Sequence, residues 1–268
     1  MVTLGNRKLR QIDLCSGVGA GFPLAGLQLR EFELIGLCEI DEWCRDRLQQ
    51  RFPDVPIYDD VKQFPRIEGI DCITSSPPCQ PFTVEGKRLS GADDRDCIPA
   101  VLQLVRTIKP KYFCLENVPG LLSAPRRPGD KEGTYFQQML QELHESGYDA
   151  QWIVVGTRFY FGTRWTGERL LLVAASRSLE LEWERATPWE HQVRSQSQED
   201  WVNRQERSLQ SRVVGAGIWT TNRVDRPPGT PSGNSITRAR RAALGNILDP
   251  RIAAIALRRV LYLNSLIK

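Results

Sequence analysis

Over its first 175 residues the chain alternates short apolar runs with longer segments of helical spacing, and this alternation restricts the fold more than any other feature. Gln11-Ile12-Asp13-Leu14-Cys15 reads as a strand, Phe22 to Leu29 as a helix, Phe32 to Leu37 as a second strand, and Glu42 to Arg51 as a helix that stops before Pro53. Ile70 to Thr74 reads as a strand, Cys97 to Ile108 as a helix, Lys111 to Leu115 as a strand, and Tyr135 to Ser146 as a helix closed by Gly147. Ala150 to Gly156 and Arg169 to Ala174 read as two further strands. Strands alternating with helices predict an α/β fold, a doubly wound and mostly parallel sheet covered on both faces. In such sheets ligands bind beyond the carboxyl ends of the strands.

The alternation stops near Ser176, where tryptophans at 183, 189, 201 and 219 are scattered among polar residues. Residues 1–175 are therefore expected to form the catalytic and cofactor-binding domain, and 176–240 a small irregular lobe too loop-rich for a large core of its own. Residues 241–268 end in a helix, with Ile252, Ile255, Ala256 and Val260 at helical spacing, expected to pack back on the first domain.

Seven cysteines without a CxxC pair, and only His144 and His191 as histidines, argue against a zinc site or a disulfide framework. No metal is expected, and a reducing cytoplasm is the natural compartment. No apolar run approaches the ~20 residues that span a bilayer, and Met1 to Arg10 is short and polar, without a signal-peptide hydrophobic stretch. The net charge is +4, but its distribution says more: Arg194 to Arg241 holds nine arginines and no lysine, Arg223 and Arg226 among them. Arginine's planar fork suits phosphates and guanine edges, which points to nucleic acid, although interleaved acids also fit a solvated surface.

The chemistry concentrates on Ser75-Ser76-Pro77-Pro78-Cys79-Gln80-Pro81-Phe82-Thr83. A thiol between two prolines is excluded from a helix interior or a central strand, so a stiff loop presents it as a nucleophile. Cys38, Cys72 and Cys114 lie in or beside apolar runs and read as core filler. Glu116, in Leu115-Glu116-Asn117-Val118, is an acid at the end of a buried run and suits protonation of a substrate. Asp13 to Gly21 places Gly17, Gly19 and Gly21 just after the first strand, where a ligand can approach the backbone closely. Glu39 closes the next strand, where an acid can hold ribose hydroxyls, and Asp60 can receive an adenine amino group. Together they fit an adenosine ligand without a pyrophosphate cradle.

These residues resemble the DNA (cytosine-5) methyltransferase family. The Asp13 to Gly21 turn, the loop Pro78-Cys79-Gln80-Pro81-Phe82-Thr83 with Gly86, Gly91, Asp94 and Arg95, the acid segment Glu116-Asn117-Val118, and Ala243-Leu244-Gly245-Asn246 are similar to its motifs in order and spacing. The resemblance implies a Rossmann-like methyltransferase that uses S-adenosylmethionine, with Asp13, Cys15, Gly17, Gly19, Glu39, Ile40, Asp60, Pro78 and Asn246 as cofactor residues. It implies Cys79 as nucleophile toward carbon 6 of a flipped-out cytosine, Glu116 as ring-nitrogen acid, and Arg169 on the cytosine carbonyl oxygen. Gln80, Arg95, Arg164, Arg223 and Arg226 are the implied nucleic-acid contacts, the 176–240 lobe the target reader, and double-stranded DNA the partner of a monomer that can be paired with a restriction endonuclease. The chain departs from the family at Trp165 and Gly167, where a Gln and an Arg usually stand, at Asp96, where the loop usually has a glycine, and at Ile247, where a small polar residue is usual. Two alternatives remain open at this level: a tRNA cytosine-5 methyltransferase, and a nucleic-acid-binding homologue with impaired catalysis.

Overall fold

Leu9–Leu14 forms β1 near the centre of a seven-stranded sheet of order β3-β2-β1-β4-β5-β7-β6. The computed structural model describes residues 7–82, 93–156, 167–195 and 248–268. The strands are β2 Phe32–Cys38, β3 Ile57–Tyr58, β4 Cys72–Ser75, β5 Tyr112–Asn117, β6 Tyr148–Gly156 and β7 Glu168–Ser176. Five strands, β1 to β5, pair in parallel, whereas β7 is antiparallel to both β5 and β6. The antiparallel pair follows from connectivity: β6 and β7 are separated by 11 residues (157–167), a span suited to a hairpin, whereas parallel strands need a crossover of about a dozen residues or more.

Side-chain alternation divides the interior into two layers. Tyr112 and Cys114 of β5 and Leu171, Val173 and Ala175 of β7 face one layer, built with helices α1 Phe22–Leu29 and α5 Pro250–Asn264. Phe113, Leu115, Leu170, Leu172 and Ala174 face the other, built with α3 Ile98–Ile108 and α4 Thr134–Glu145. The short α2 Glu42–Arg51 covers β2 through Leu48 and Phe52, which pack on Leu34 and Leu37. Cys38, Cys72 and Cys114 are buried, as core filler should be.

By the same alternation Gln11, Asp13, Thr74, Glu116 and Arg169 all belong to the α1/α5 face. Polar groups in an otherwise apolar layer need partners or a function. Gln11 Nε2 donates to Thr74 Oγ1 at 3.1 Å, and Thr74 Oγ1 donates to Asp13 Oδ1 at 2.5 Å, so a polar row crosses β1 and β4.

The helix starts are legible chemistry. Asp41 caps α2 by accepting from Cys44 N at 2.9 Å, and Asp249 caps α5 by accepting from Arg251 N at 2.9 Å, with Pro250 as the first helical residue. Helix α5 packs on α1, β5 and β7. The opening of the segment read as a lobe also docks here. Leu181 bridges to Ile267, Trp189 and Val193 are buried with α5, and the buried Arg259 donates to Thr187 O at 2.8 Å and to Gln151 Oε1 at 2.7 Å. Loop-rich composition at 176–195 thus reflects a strap over the last helix. The rest of the segment, 196–247, lies outside the described residues.

Candidate active site

Strands β1 and β4 are parallel neighbours. The chain leaves β1 toward β2 on one side and leaves β4 toward β5 on the other, so the sheet reverses its strand order between them. This is the crevice where doubly wound sheets bind ligands. A cleft of ≈ 310 Å³ opens there. Its wall includes Asp13, Cys15, Gly17, Glu39, Ile40, Asp60, Pro78, Cys79, Glu116 and Arg169, so ten residues singled out in the sequence meet in one place.

At the glycine-turn end, Glu39 organises the backbone. Its Oε2 accepts from Gly17 N at 2.7 Å and its Oε1 from Asp41 N at 2.9 Å, while Arg45 Nη1 donates to Glu39 O at 3.0 Å. Burial raises the Glu39 carboxyl above the usual glutamate range, and the Asp41 and Gly17 amides pull it back. Gly17 has φ +53°, and a Cβ there would meet no atom within 4 Å, so the backbone borders open space. Cys15 also adopts a left-handed φ of +58° without being glycine, a strain typical of functional turns. Ile40, an apolar side chain 74% exposed, lies on the cleft rim. Asp60 lines the cleft and already caps a 3-10 turn by accepting from Lys62 N at 2.8 Å. Buried Asp13 is raised to about 7, first by burial; hydrogen bonds from Thr74 and Ser16 lower it, and Glu39 raises it. Asp13, Glu39, Asp41, Asp59 and Asp60 share this end with Lys62. Such a wall favours a cationic ligand and repels a polyphosphate.

At the other end, β5 carries Glu116 and β7 carries Arg169. Glu116 pairs with Leu171, which places Arg169 diagonally across the antiparallel ladder on the same face. Arg169 Nε lies 3.0 Å from Glu116 Oε1. Burial lifts the Glu116 carboxyl to about 7, and Arg169 and the Ser76 hydroxyl hold it from rising further. The half-buried Cys79 thiol is raised by burial and by the Glu116 charge, and lowered by Arg169 and a backbone hydrogen bond. Asn117 ties the two loops together: its Nδ2 donates to Pro77 O at 3.3 Å, and its Oδ1 accepts from Val118 N at 2.9 Å. Beyond Cys79, Phe82 N donates to Cys79 O at 2.9 Å and closes a turn. Gly120 is required beneath it, since a Cβ at that position would stand 2.4 Å from Phe82 O.

Other sequence candidates fall elsewhere. Gly19 is off the cleft wall, and a Cβ there would meet Phe52 at 2.5 Å and Leu48 at 2.8 Å, so this glycine leaves room for those side chains. Gln80 follows Cys79 but does not line the cleft, and Arg95 is exposed and paired with Asp93 at 2.6 Å. Asn246, Arg164, Arg223 and Arg226 lie outside the described residues, as do Trp165 and Ile247. Leu248 lines the cleft and packs against Gly21. Sequence reasoning missed Ser76 as a Glu116 partner, and Cys97, whose Sγ lies 3.2 Å from Cys15 Sγ on the cleft wall. A serine beside prolines and a cysteine at a helix start carry no pattern that marks them.

By fold the chain is similar to a Spodoptera frugiperda DNMT2 mutant, at a TM-score of 0.52 and 20% identity over 68% of this chain and 54% of that one. The family model for C-5 cytosine-specific DNA methylase matches residues 9–225, and the chain belongs to that family. Among curated relatives, the type II methyltransferase M.NgoMIV of Neisseria gonorrhoeae is 31% identical over 166 residues, 61% of this chain and 50% of its own length. M.NaeI of Lentzea aerocolonigenes is 31% identical over 63% of this chain and 40% of its length, and the orphan methyltransferase M.Rho11sI of Bacillus phage rho11s is 30% identical over 64% and 34%. The matched part of this chain thus spans half or less of these relatives.

Proposed function

We propose that this protein transfers a methyl group to carbon 5 of cytosine in double-stranded DNA, through a transient bond between Cys79 and carbon 6 of a flipped-out base. The observation that carries this reading is the convergence of Cys79, Glu116 and Arg169 with the acidic glycine-turn end in one cleft. S-adenosylmethionine, the methyl donor used in this family, supplies an electrophilic methyl group on a cationic sulfonium. The acid-rich wall, the open space at Gly17 and the exposed Ile40 fit such a ligand, with Glu39 for ribose hydroxyls and Asp60 for the adenine amino group.

The thiol and the acid operate as one titrating unit. The Glu116 charge raises the Cys79 thiol, so moving the thiol proton to Glu116 removes the charge that disfavours the thiolate. The net charge of the pair is unchanged, and Arg169 stays beside both groups. The Cys79 thiolate then attacks carbon 6, while protonated Glu116 donates to ring nitrogen 3 and neutralises the charge that develops there. Carbon 5 becomes nucleophilic and accepts the methyl group. A base removes the carbon 5 proton, a role assigned to water because no histidine among the described residues lines the cleft. Elimination of Cys79 with return of the nitrogen proton to Glu116 restores the pair. Arg169 orients Glu116 and binds the cytosine carbonyl oxygen.

Incubation with labelled S-adenosylmethionine and, separately, duplex DNA and a tRNA pool tests the substrate. Label on carbon 5 of cytosine in duplex DNA is expected; label confined to tRNA, or none, overturns the assignment. The arginine-rich segment beyond residue 195 is proposed as the target reader, in a protein that acts as a monomer, and a restriction endonuclease is a proposed functional partner.

A further inference from the structure

We propose that the hydrogen-bonded pair Tyr135–Asp96 is a positioning device that anchors the turn after Cys79 to the start of α3 and thereby sets the reach of the thiol. This rests on the assignment of Cys79 as the nucleophile.

Tyr135 contacts both Phe82, three residues after Cys79, and Asp96, two residues before α3. Its ring packs on the Phe82 ring, with centroids 5.0 Å apart, and Phe82 in turn closes the Cys79 turn through its amide. Its hydroxyl donates to Asp96 Oδ2 at 2.5 Å, while Asp96 Oδ1 accepts from Ile98 N at 3.0 Å at the start of α3. One side chain, 7% exposed, therefore spans from the nucleophile's turn to the helix that follows the loop. Tyr135 is also joined to the acid side of the site: Tyr135 N donates to Ala124 O, at the end of the 3-10 turn Pro119–Ser123 that follows Glu116.

A plain core role explains the ring but not the hydroxyl. Phenylalanine would fill the same apolar volume with no buried polar atom to satisfy. A glycine at position 96 could not accept the bond.

The experiment uses Tyr135→Phe, Asp96→Ala, the double variant, and Asp96→Asn as the conservative replacement. Two rates are read in the full chain, with the KM for S-adenosylmethionine and the thermal midpoint as controls. The first is the iodoacetamide alkylation rate of the Cys79 peptide by mass spectrometry, referenced to the Cys44 peptide. The second is the single-turnover rate of covalent capture by duplex DNA containing 5-fluorocytosine. Tyr135→Phe and Asp96→Ala are expected to raise Cys79 alkylation about tenfold and slow capture about tenfold, the range for loss of a hydrogen bond to a charged group. KM for S-adenosylmethionine stays unchanged, the double variant is no worse than either single one, and Asp96→Asn recovers most of the rate.

Unchanged alkylation and capture in the single variants, additive losses in the double variant, or a loss matched by a fall in thermal midpoint and a rise in KM would overturn the positioning role. If wild-type protein captures no DNA while the variants still unmask Cys79, the cytosine chemistry fails and the positioning pair stands. If capture fails and alkylation is unmoved, both fail.

Discussion

Arg169 Nε stands 3.0 Å from Glu116 Oε1, across adjacent antiparallel strands, with both side chains largely shielded from water. The guanidinium lowers a carboxyl that burial has lifted to about 7, and it also lowers the thiol of Cys79. One strand-borne cation thus acts on both the carboxyl and the thiol.

Replacing Arg169 with methionine removes that influence, so the Glu116 carboxyl and the Cys79 thiol both rise. The pH profile of kcat/KM is expected to move to higher pH on both limbs, with a lower maximum. Arg169→Lys keeps the charge but loses the planar fork and should fall between. A profile that keeps its wild-type midpoints while the maximum drops would mean that Arg169 acts on substrate alone.

Glu116→Gln separates stability from activity. A carboxyl raised from 4.5 to about 7 folds best protonated, so the charged form weakens the fold as pH climbs through that window. The glutamine variant should come close to wild type near pH 5 and exceed it by about 3 kcal/mol at pH 8, because each tenfold change in proton affinity is worth roughly 1.4 kcal/mol. Turnover should fall about 10²–10⁴-fold, the usual worth of a general acid. Urea denaturation at both pH values checks the first expectation; equal stability differences at pH 5 and pH 8 would refute it.

Glu39→Ala removes the acceptor of two backbone amides and the proposed ribose ligand. Binding of S-adenosylmethionine, followed by calorimetry, should weaken at least tenfold, since hydrogen bonds to charged groups contribute about 1.5–3 kcal/mol. Capture of 5-fluorocytosine DNA in saturating donor should be nearly unaffected. An unchanged dissociation constant would remove Glu39 from the cofactor site.

Gly120→Ala forces a methyl group to within 2.4 Å of Phe82 O, so the Cys79 turn or the Pro119–Ser123 turn must shift. A loss of about 1–3 kcal/mol in stability is expected, in line with overpacking elsewhere, together with a lower kcat. Wild-type stability and rate would show that the two turns are not rigidly opposed.

Much of the fold was legible because strands buried on both faces and helices with caps write their period into the chain. Glu42–Arg51 and Pro250–Asn264, capped by Asp41 and Asp249, are such helices, and β1 and β5 are such strands. The antiparallel hairpin of β6 and β7 was not, because an apolar strand reads the same in either direction. The two-residue β3 is too short to carry a period, and Trp189 and Val193 looked like loop residues because their burial depends on a helix far along the chain. In the site, Cys79 stood out through its flanking prolines and Glu116 through its place at a strand end. The packing of Gly19 against Phe52 was not legible, since a glycine that admits a side chain looks identical in sequence to one that admits a ligand. Ser76, Asp96 and Tyr135 act through contacts with residues far away in sequence, which no local pattern reports.

Covalent capture by duplex DNA carrying 5-fluorocytosine tests the central claim most directly, because fluorine at carbon 5 cannot leave as a proton and the adduct persists. With S-adenosylmethionine present, peptide mapping is expected to find the methylated fluoropyrimidine on Cys79 alone, and Cys79→Ala should yield no adduct while keeping its thermal midpoint. Capture on another cysteine, or undiminished methylation by Cys79→Ala, would contradict the account.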